Sequence, residues 1–338
     1  MSALRISVRG TGIQPHIVGA MIARWCHGPS TTISIDCELP PRAEQAVLLR
    51  PSFHRFHAEI GVSPADLDCI GSVPAHTTTV PDRIALPVSP YGLGRSGVDF
   101  HQHWLRGRSL GELADLSEYS PSLALGKLSR DMTCRQAQQI PFETGLSVDA
   151  QRYAELLLGR AVQLGGRTGN GSGGETADLV FDCRSDVSSS QWAGNVITIG
   201  SRSRIPGMAS HMALEAGRRW LALFAKPEES GPEEREFNRL CDAEASHLAD
   251  MEELIFSEDP ASTSRPALAR KIAVFSACGR IPMEDYEIFA QHEWLTALLA
   301  RGFEPARHER LAEVMPQTEL LQWLADLRRN LAPRGVPA

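Results

Sequence analysis

The residues best placed to do chemistry near the N-terminus are glycines. Gly10-Thr11-Gly12-Ile13-Gln14-Pro15 follows a short β-branched stretch (Ile6, Val8) and precedes an apolar helical one (Ile17, Val18, Ala20, Met21, Ile22). A strand, a glycine turn and a helix in this order open a dinucleotide-binding βαβ unit. Its G-x-G-x-x-G turn lets the backbone approach a pyrophosphate and lets the helix pack on the strand. Gly10 and Gly12 supply the first two glycines. The third is Pro15, which suits a first helical turn but withholds one N–H from a phosphate. Residues 31–36 (TTISID) form the expected second parallel strand. An acid at its end, about twenty residues past the turn, receives a ribose hydroxyl in such units. Asp36 is best placed for this, with Glu38 next.

Other candidate groups carry less chemistry. His101 and His103, with His54 and His57 earlier in the chain, lack a carboxylate or cysteine at metal-binding spacing, so no metal site is expected. They read instead as polar residues at a helix start beside a buried Trp104. The glycine run 165–175 (GGRTGNGSGGE) has no G-K-[ST] and leads into a strand, so it reads as a linker and not a phosphate loop. The seven cysteines are scattered and never form C-x-x-C, which points to buried free thiols.

These residues must be held by a sizeable fold. The chain has 338 residues, 42% of them hydrophobic and 22% charged, with a formal net charge of -7. That composition suits a globular protein and argues against nucleic acid as a partner. No apolar run approaches the ~18–20 residues of a bilayer span, and the first residues lack the apolar core of a signal peptide. A cytoplasmic protein with no membrane partner is therefore expected. After the opening βαβ pattern come short helices near 53–57 and 64 onward, and an edge strand near 83–86. The block 90–109 is expected to lead into a helix, a further helix is expected at 149–164, and strands at 176–183 and 195–200. Helices then fill the chain from about 208 to 331. Strands cluster in the first two hundred residues, which gives an α/β fold divided into an α/β domain at 1–205 and a helical part at 206–338.

Several of these stretches in succession resemble one family, the flavin-dependent tryptophan halogenases. The glycine turn after RISV is similar to that family's opening, and so is PSFHRFHAEIGVSPADL (51–67). PYGLGRSGVDFHQHWLR (90–106) resembles its P-Y-G…G-x-x-F-H-H-Y-W-L-R. GLSVDAQRYAELL (145–157), TADLVFDCRS (176–185) and GNVITIG (194–200) resemble its following helix and two strands. RKIAVFSACGRI and HEWLTALLARGFEPARH are similar to its C-terminal helices. The resemblance implies a Rossmann-like FAD-binding fold with a mostly helical C-terminal part. It also implies FAD as cofactor, with Gly10, Gly12, Asp36, Asn195 and Gly200 as its contacts and no metal.

The family's chemistry uses reduced FAD and oxygen to make hypohalous acid, which a lysine and a glutamate direct onto an indole. The lysine position falls on Ala75 or His76, and a histidine holds no permanent ammonium at neutral pH. Counting back from His211, the glutamate position falls on Pro206, followed by Gly207. The W-x-W-x-I-P signature is absent. Only residues 184–193 join two strands that a long antiparallel stretch connects in active members. The resemblance therefore implies a shortened relative without halogenase chemistry, acting as a scaffold, a homo-oligomer or a partner subunit of a flavoprotein. Its bared sheet is expected to leave apolar surface. Two other readings are an FAD-dependent monooxygenase acting on an aromatic group and a halogenase using His76.

Overall fold

The computed structural model describes residues 4–40, 46–80, 84–126, 142–169, 177–224 and 231–331. Cys134, Arg83, Thr176 and residues 170–175 of the expected linker lie outside them. The chain opens with β1 (Leu4–Thr11), α1 (Gln14–Cys26), β2 (Thr31–Glu38) and β3 (Val47–Leu49). Next come α2 (Ser52–Ile60), α3 (Pro64–Cys69), and the short strands β4 (Val73–Ala75), β5 (Thr77–Val80) and β6 (Ile84–Pro87). These lead to α4 (Phe100–Ser109), α5 (Pro121–Gly126), β7 (Gly145–Val148), α6 (Ala150–Gln163) and β8 (Arg167–Thr168). The strands β9 (Leu179–Cys183), β10 (Gln191–Ala193) and β11 (Val196–Ile199) follow. The remainder is helical: α7 (Met208–Leu223), α8 (Gly231–Phe256), α9 (Pro266–Cys278), α10 (Gln291–Ala300) and α11 (Gln317–Leu331). The fold is α/β with a largely parallel sheet, as the residue pattern predicts.

The chain divides into two compact units, residues 1–74 with 145–246, and residues 75–144 with 247–338. Each unit is assembled from two separated stretches of sequence, and the boundary expected at 205/206 falls inside the first.

The first unit is built on a six-stranded sheet in the order β10-β11-β9-β1-β2-β8. β1 pairs parallel with β2 and with β9, and β11 pairs parallel with β9. Alternation along these strands sends Ile6, Val8, Ile33, Ile35, Leu179, Phe181, Ile197 and Ile199 to one buried face. Helices α1, α6 and α7 cover that face. α1 contributes Ile17, Val18, Met21 and Ile22, all buried. Trp220 of α7 meets the Phe181 ring edge-on at 4.7 Å between centroids.

The opposite face is largely polar, with Val180 and Val196 among its residues. It carries Arg5, Ser7 and Arg9 of β1, Thr32, Ser34 and Asp36 of β2, and Asp182 and Thr198 of their neighbours, all partly or fully exposed. Arg9 reaches Asp182 at 3.3 Å, and Arg5 reaches Asp178 at 3.2 Å. The apolar surface expected over a bared sheet is therefore replaced on this face by hydroxyls and ion pairs. The edge strand β10 falls in a stretch that reads from sequence as a serine loop, and α8 guards it. The Asn238 amide accepts from the Trp192 N–H at 2.6 Å and donates to the Trp192 carbonyl at 2.9 Å. One side chain thereby satisfies the backbone groups another strand would pair with.

Caps mark the helix starts. Ser63 and Asp66 form a reciprocal capping box at α3, with Pro64 at the first helical position. Asp149 caps α6 through the Arg152 N–H. Within this unit His57 of α2 is buried and its Nε2 lies 2.7 Å from the Tyr153 hydroxyl of α6. Burial, and secondarily His54, pushes the His57 imidazole down to about 4.

The second unit is mostly helical, with a β5–β6 hairpin against which α10 packs. Trp104 of α4 is 3% exposed, and its indole N–H donates to the Ala114 carbonyl at 3.0 Å. Lys271 is buried in an ion pair with Glu287 at 2.8 Å, its ammonium over the Trp294 ring. Among the described residues no helix is long and apolar enough to cross a membrane. Of the described cysteines Cys183 and Cys241 are buried, whereas Cys69 is exposed, which departs from the expectation of uniformly buried thiols.

Two measurements test this packing. Trp104→Ala should lower stability by ~3–5 kcal/mol in urea unfolding, the range for emptying a buried aromatic site. His57 must stay neutral in the fold but takes up a proton once unfolded. Its contribution is therefore fully present above about pH 6.5 and lost as pH falls toward 4. Between pH 7 and pH 5 the wild type should lose about 2 kcal/mol more stability than His57→Phe.

Candidate functional site

The strand-to-helix turn at Gly10–Pro15 lies at the C-terminal end of the parallel strands, where ligands bind in sheets of this kind. Its two glycines do different work. Gly10 adopts φ +140°, and a β carbon there would stand 2.3 Å from the Cys183 carbonyl oxygen. The neighbouring strand β9 therefore requires this glycine. Gly12 adopts φ +84°, and a β carbon there would meet nothing within 4 Å. It faces open space of the kind a pyrophosphate fills. The N–H groups of Ile13 and Gln14, at the start of α1, have no acceptor within the helix and are available to an anion. Pro15 sits in the first turn of α1, as expected.

The register of the sheet sorts the other candidates. Asp36 is level with Arg9 and lies on the polar face, whereas Glu38 is level with Thr11 in the turn itself. Gly200 follows Ile199, which is level with Cys183 and hence with Gly10. It therefore shares the turn's end of the sheet. A β carbon on Gly200 would stand 1.8 Å from the Arg184 carbonyl oxygen, and the Ser190 hydroxyl bonds both its N–H and its carbonyl. Asn195 lies at the other end. It precedes β11, level with Leu179 and Ile6. Four residues of strand, roughly 13 Å, separate it from the level of Gly10. The structure thus gathers Gly10, Gly12, Gly200 and the acids of β2, and leaves Asn195 apart.

Further groups at this end lie outside the glycine motif. His16 of α1 is buried and its Nδ1 lies 2.8 Å from the Gly12 carbonyl oxygen. His211 of α7 lies 3.0 Å through Nδ1 from the Ser52 hydroxyl. Burial, then the nearby charges of Arg50 and Arg218, pushes that imidazole down to about 3. Arg50 in turn approaches the Met208 sulfur at 3.3 Å. The sequence signal for His16 was its place directly after Pro15. His211 served in the sequence only as the landmark for the glutamate position, and for Ser52 there was no signal.

The positions that the resemblance assigns to catalysis are filled differently. Gly207 adopts φ +80°, and a β carbon there would stand 2.7 Å from the Leu48 carbonyl oxygen. The 206–209 loop therefore packs backbone against backbone on β3. His76, between β4 and β5, is partly buried, with its ring 5.5 Å from that of Phe142. Burial lowers its pKa below the ordinary imidazole value, and its Nδ1 is buried without a hydrogen-bond partner among the described residues. It is a neutral ring in an aromatic setting.

Within the second unit the 90–109 block walls two clefts that share Tyr91. The larger, of about 450 Å³, is lined by Tyr91, Trp104, Arg108, Thr296 and Glu304 among others. The Tyr91 hydroxyl lies 2.5 Å from that of Thr296, and burial pushes the phenol up to about 12. Arg108 stacks over Trp104 at 5.2 Å and pairs with Glu304 at 3.8 Å. The smaller cleft, of about 220 Å³, is lined by Asp99, Phe100, His101 and Gln291. His101 lies 2.8 Å through Nε2 from the Gly279 carbonyl, and His103 lies 3.2 Å from that of Arg95. Both histidines are engaged with the backbone. With its phenol held protonated, the larger cleft is suited to holding an amphipathic group and not to moving a proton.

With this geometry in view, comparison with known proteins is informative. The family model described as tryptophan halogenase matches residues 167–317. No curated protein matches the sequence significantly. Among solved structures, BrvH, a flavin-dependent halogenase from Brevundimonas sp. BAL3, superposes with a TM-score of 0.79 at 16% identity, covering 97% of this chain and 96% of that one. Xcc4156, a flavin-dependent halogenase from Xanthomonas campestris, gives 0.77 at 15% identity, covering 98% and 95%. A tryptophan halogenase from Shewanella frigidimarina NCIMB 400 gives 0.73 at 12%, again covering 98% and 95%. At such identities the structures establish the fold, a Rossmann-like α/β arrangement, and the family model adds a sequence signal within it. Over residues 167–317 the sequence matches the tryptophan halogenase family, and the chain shares the fold of the flavin-dependent halogenases.

Proposed function

We propose that this chain is a flavin-binding member of its family that does not halogenate, and that it serves as a scaffold or partner subunit to an active flavoprotein. The observation that carries the proposal is the packing of the 206–209 loop. Where the family pattern calls for a glutamate and its neighbour, Pro206 and Gly207 stand, and the Leu48 carbonyl leaves no room for even a β carbon on Gly207. The second reacting group fares no better. A lysine ammonium is replaced by Ala75 or by the neutral, partly buried imidazole of His76, which cannot supply a standing positive charge.

The dinucleotide end fits FAD better than the catalytic end fits halogenation. Gly12 leaves open space beside the first N–H groups of α1, which would hold the pyrophosphate, and Glu38 or Asp36 would take the ribose hydroxyls. A bound flavin supplies redox and oxygen chemistry. This chain's residues would position it and shield it. The same open cradle supports a second reading, a flavin-dependent monooxygenase acting on an aromatic group, since such a reaction needs neither the lysine nor the glutamate.

The experiment is a titration of the purified protein with FAD, followed by visible spectroscopy. Assays with reduced FAD, oxygen, chloride or bromide, and tryptophan or an indole-bearing peptide complete it. We expect a flavin spectrum perturbed by binding and no halogenated product; a halogenated product would overturn the proposal. Oxygenated product without halogenation would select the monooxygenase reading. Gly12→Val should abolish FAD binding, because its side chain occupies the space left for the pyrophosphate. Unchanged affinity in that variant would move the phosphate site elsewhere.

A further inference from the structure

His16 is buried, at 1% exposure, in the first turns of α1, yet it is spent on a bond that the helix ladder does not make. Its backbone N–H goes to the Ile13 carbonyl at 3.1 Å, so the Gly12 carbonyl is met by the side chain at 2.8 Å. A carbonyl oxygen can only accept, so the Nδ1 atom carries the proton. The Nε2 atom is then a bare acceptor, and it is buried with no hydrogen-bond partner among the described residues. Burial lowers the pKa of this imidazole, which keeps the ring in that neutral tautomer. An orphaned acceptor in the interior is unfavourable. A phenylalanine would fill the same space without that penalty. What phenylalanine lacks is the Nδ1–H.

The bond falls where it can matter. Gly12 holds the left-handed φ of +84° that turns its vacant side toward open space. A glycine turn is free to leave such a conformation, because glycine populates many backbone states. Pro15 has removed one phosphate donor, so the turn depends more on the geometry of the N–H groups that remain.

We propose that His16 is a positioning residue for the dinucleotide: its Nδ1–H tethers the Gly12 carbonyl and holds the turn open, with the Ile13 and Gln14 N–H groups aimed at the pyrophosphate. This rests on the reading that the turn binds FAD. The tether compensates for the flexibility of Gly12 with a side chain, at the position next to the altered third glycine.

The test compares wild type, His16→Phe and His16→Asn by FAD titration, thermal melting and amide hydrogen exchange of the 10–20 segment in the ligand-free protein. The asparagine side-chain N–H reaches about where Nδ1 stands. His16→Phe should melt no lower than wild type, exchange faster across the turn, and bind FAD about tenfold more weakly, the equilibrium worth of one hydrogen bond. His16→Asn should recover most of the affinity and the protection. Wild-type affinity and exchange in His16→Phe would overturn the tether. So would a loss of affinity that tracks a fall in melting temperature and is not rescued by asparagine. Failure of the wild type itself to bind FAD would overturn the flavin reading, and with it the dinucleotide role of His16. The exchange comparison would still report separately whether the tether exists.

Discussion

β1 and β9 approach each other closely in the first unit, where a β carbon on Gly10 would stand 2.3 Å from the Cys183 carbonyl oxygen. Much of the unit follows from that proximity. β1 is one of the two central strands, hydrogen-bonded to β2 on one side and β9 on the other. With no side chain on Gly10, the strand closes on β9 up to its last residues, and α1 begins four residues later at Gln14. The helix is thereby laid across the apolar face with its N-terminus at the sheet's C-terminal edge. The helix N-terminus at the turn owes its place to this packing as much as to the turn's own composition.

The sheet's other face accounts for how the fold tolerates a connection as short as residues 184–193. An apolar sheet face without a covering layer would expose a large hydrophobic patch. Here the residues pointing outward from β1 and β2 are arginine, serine, threonine and aspartate. The Arg9–Asp182 and Arg5–Asp178 pairs are solvent-exposed and contribute little to stability. Their effect is to keep the face soluble. The expected need for a partner to cover apolar surface therefore finds no support on this face, and a partner subunit would have to be recruited by other surfaces.

Much of the architecture was legible in the sequence, for identifiable reasons. β1, β2, β9 and β11 are alternating β-branched runs buried on one face, and α1, α6 and α7 show helical periodicity, so pattern and burial agree. What escaped the sequence was short or discontinuous. β3, β4 and β10 span three residues each, too few for an alternation to show, and are held by pairings or side chains from distant positions, such as Asn238 on Trp192. The division into units escaped for a related reason. Each unit is built from two separated stretches, whereas composition along the chain can suggest only consecutive domains. Of the candidate site, the glycines and the acids of β2 were legible because they follow a spacing rule. Asn195 was placed with them by resemblance to a strand motif, and the register sets it at the far end of that strand.

Three of the glycines singled out here allow the two ends of the candidate site to be weighed against each other. Gly10 and Gly207 each have a backbone carbonyl where a side chain would go, so the packing explains them with no reference to a ligand. Gly12 has no such neighbour. Its positive φ alone would accept asparagine or aspartate, but either would put a side chain, and with aspartate a negative charge, where the first N–H groups of α1 point. An anion at that point requires both the conformation and the absence of the side chain, and glycine supplies both. The chain therefore meets the steric demand of a dinucleotide at one end of the site, while at the other end the Leu48 carbonyl closes the space beside the position where the family's glutamate would stand. Those two facts come from neighbouring atoms and not from motif matching: the glycine turn stays open where a side chain would stand, and the chain at Gly207 is closed against β3.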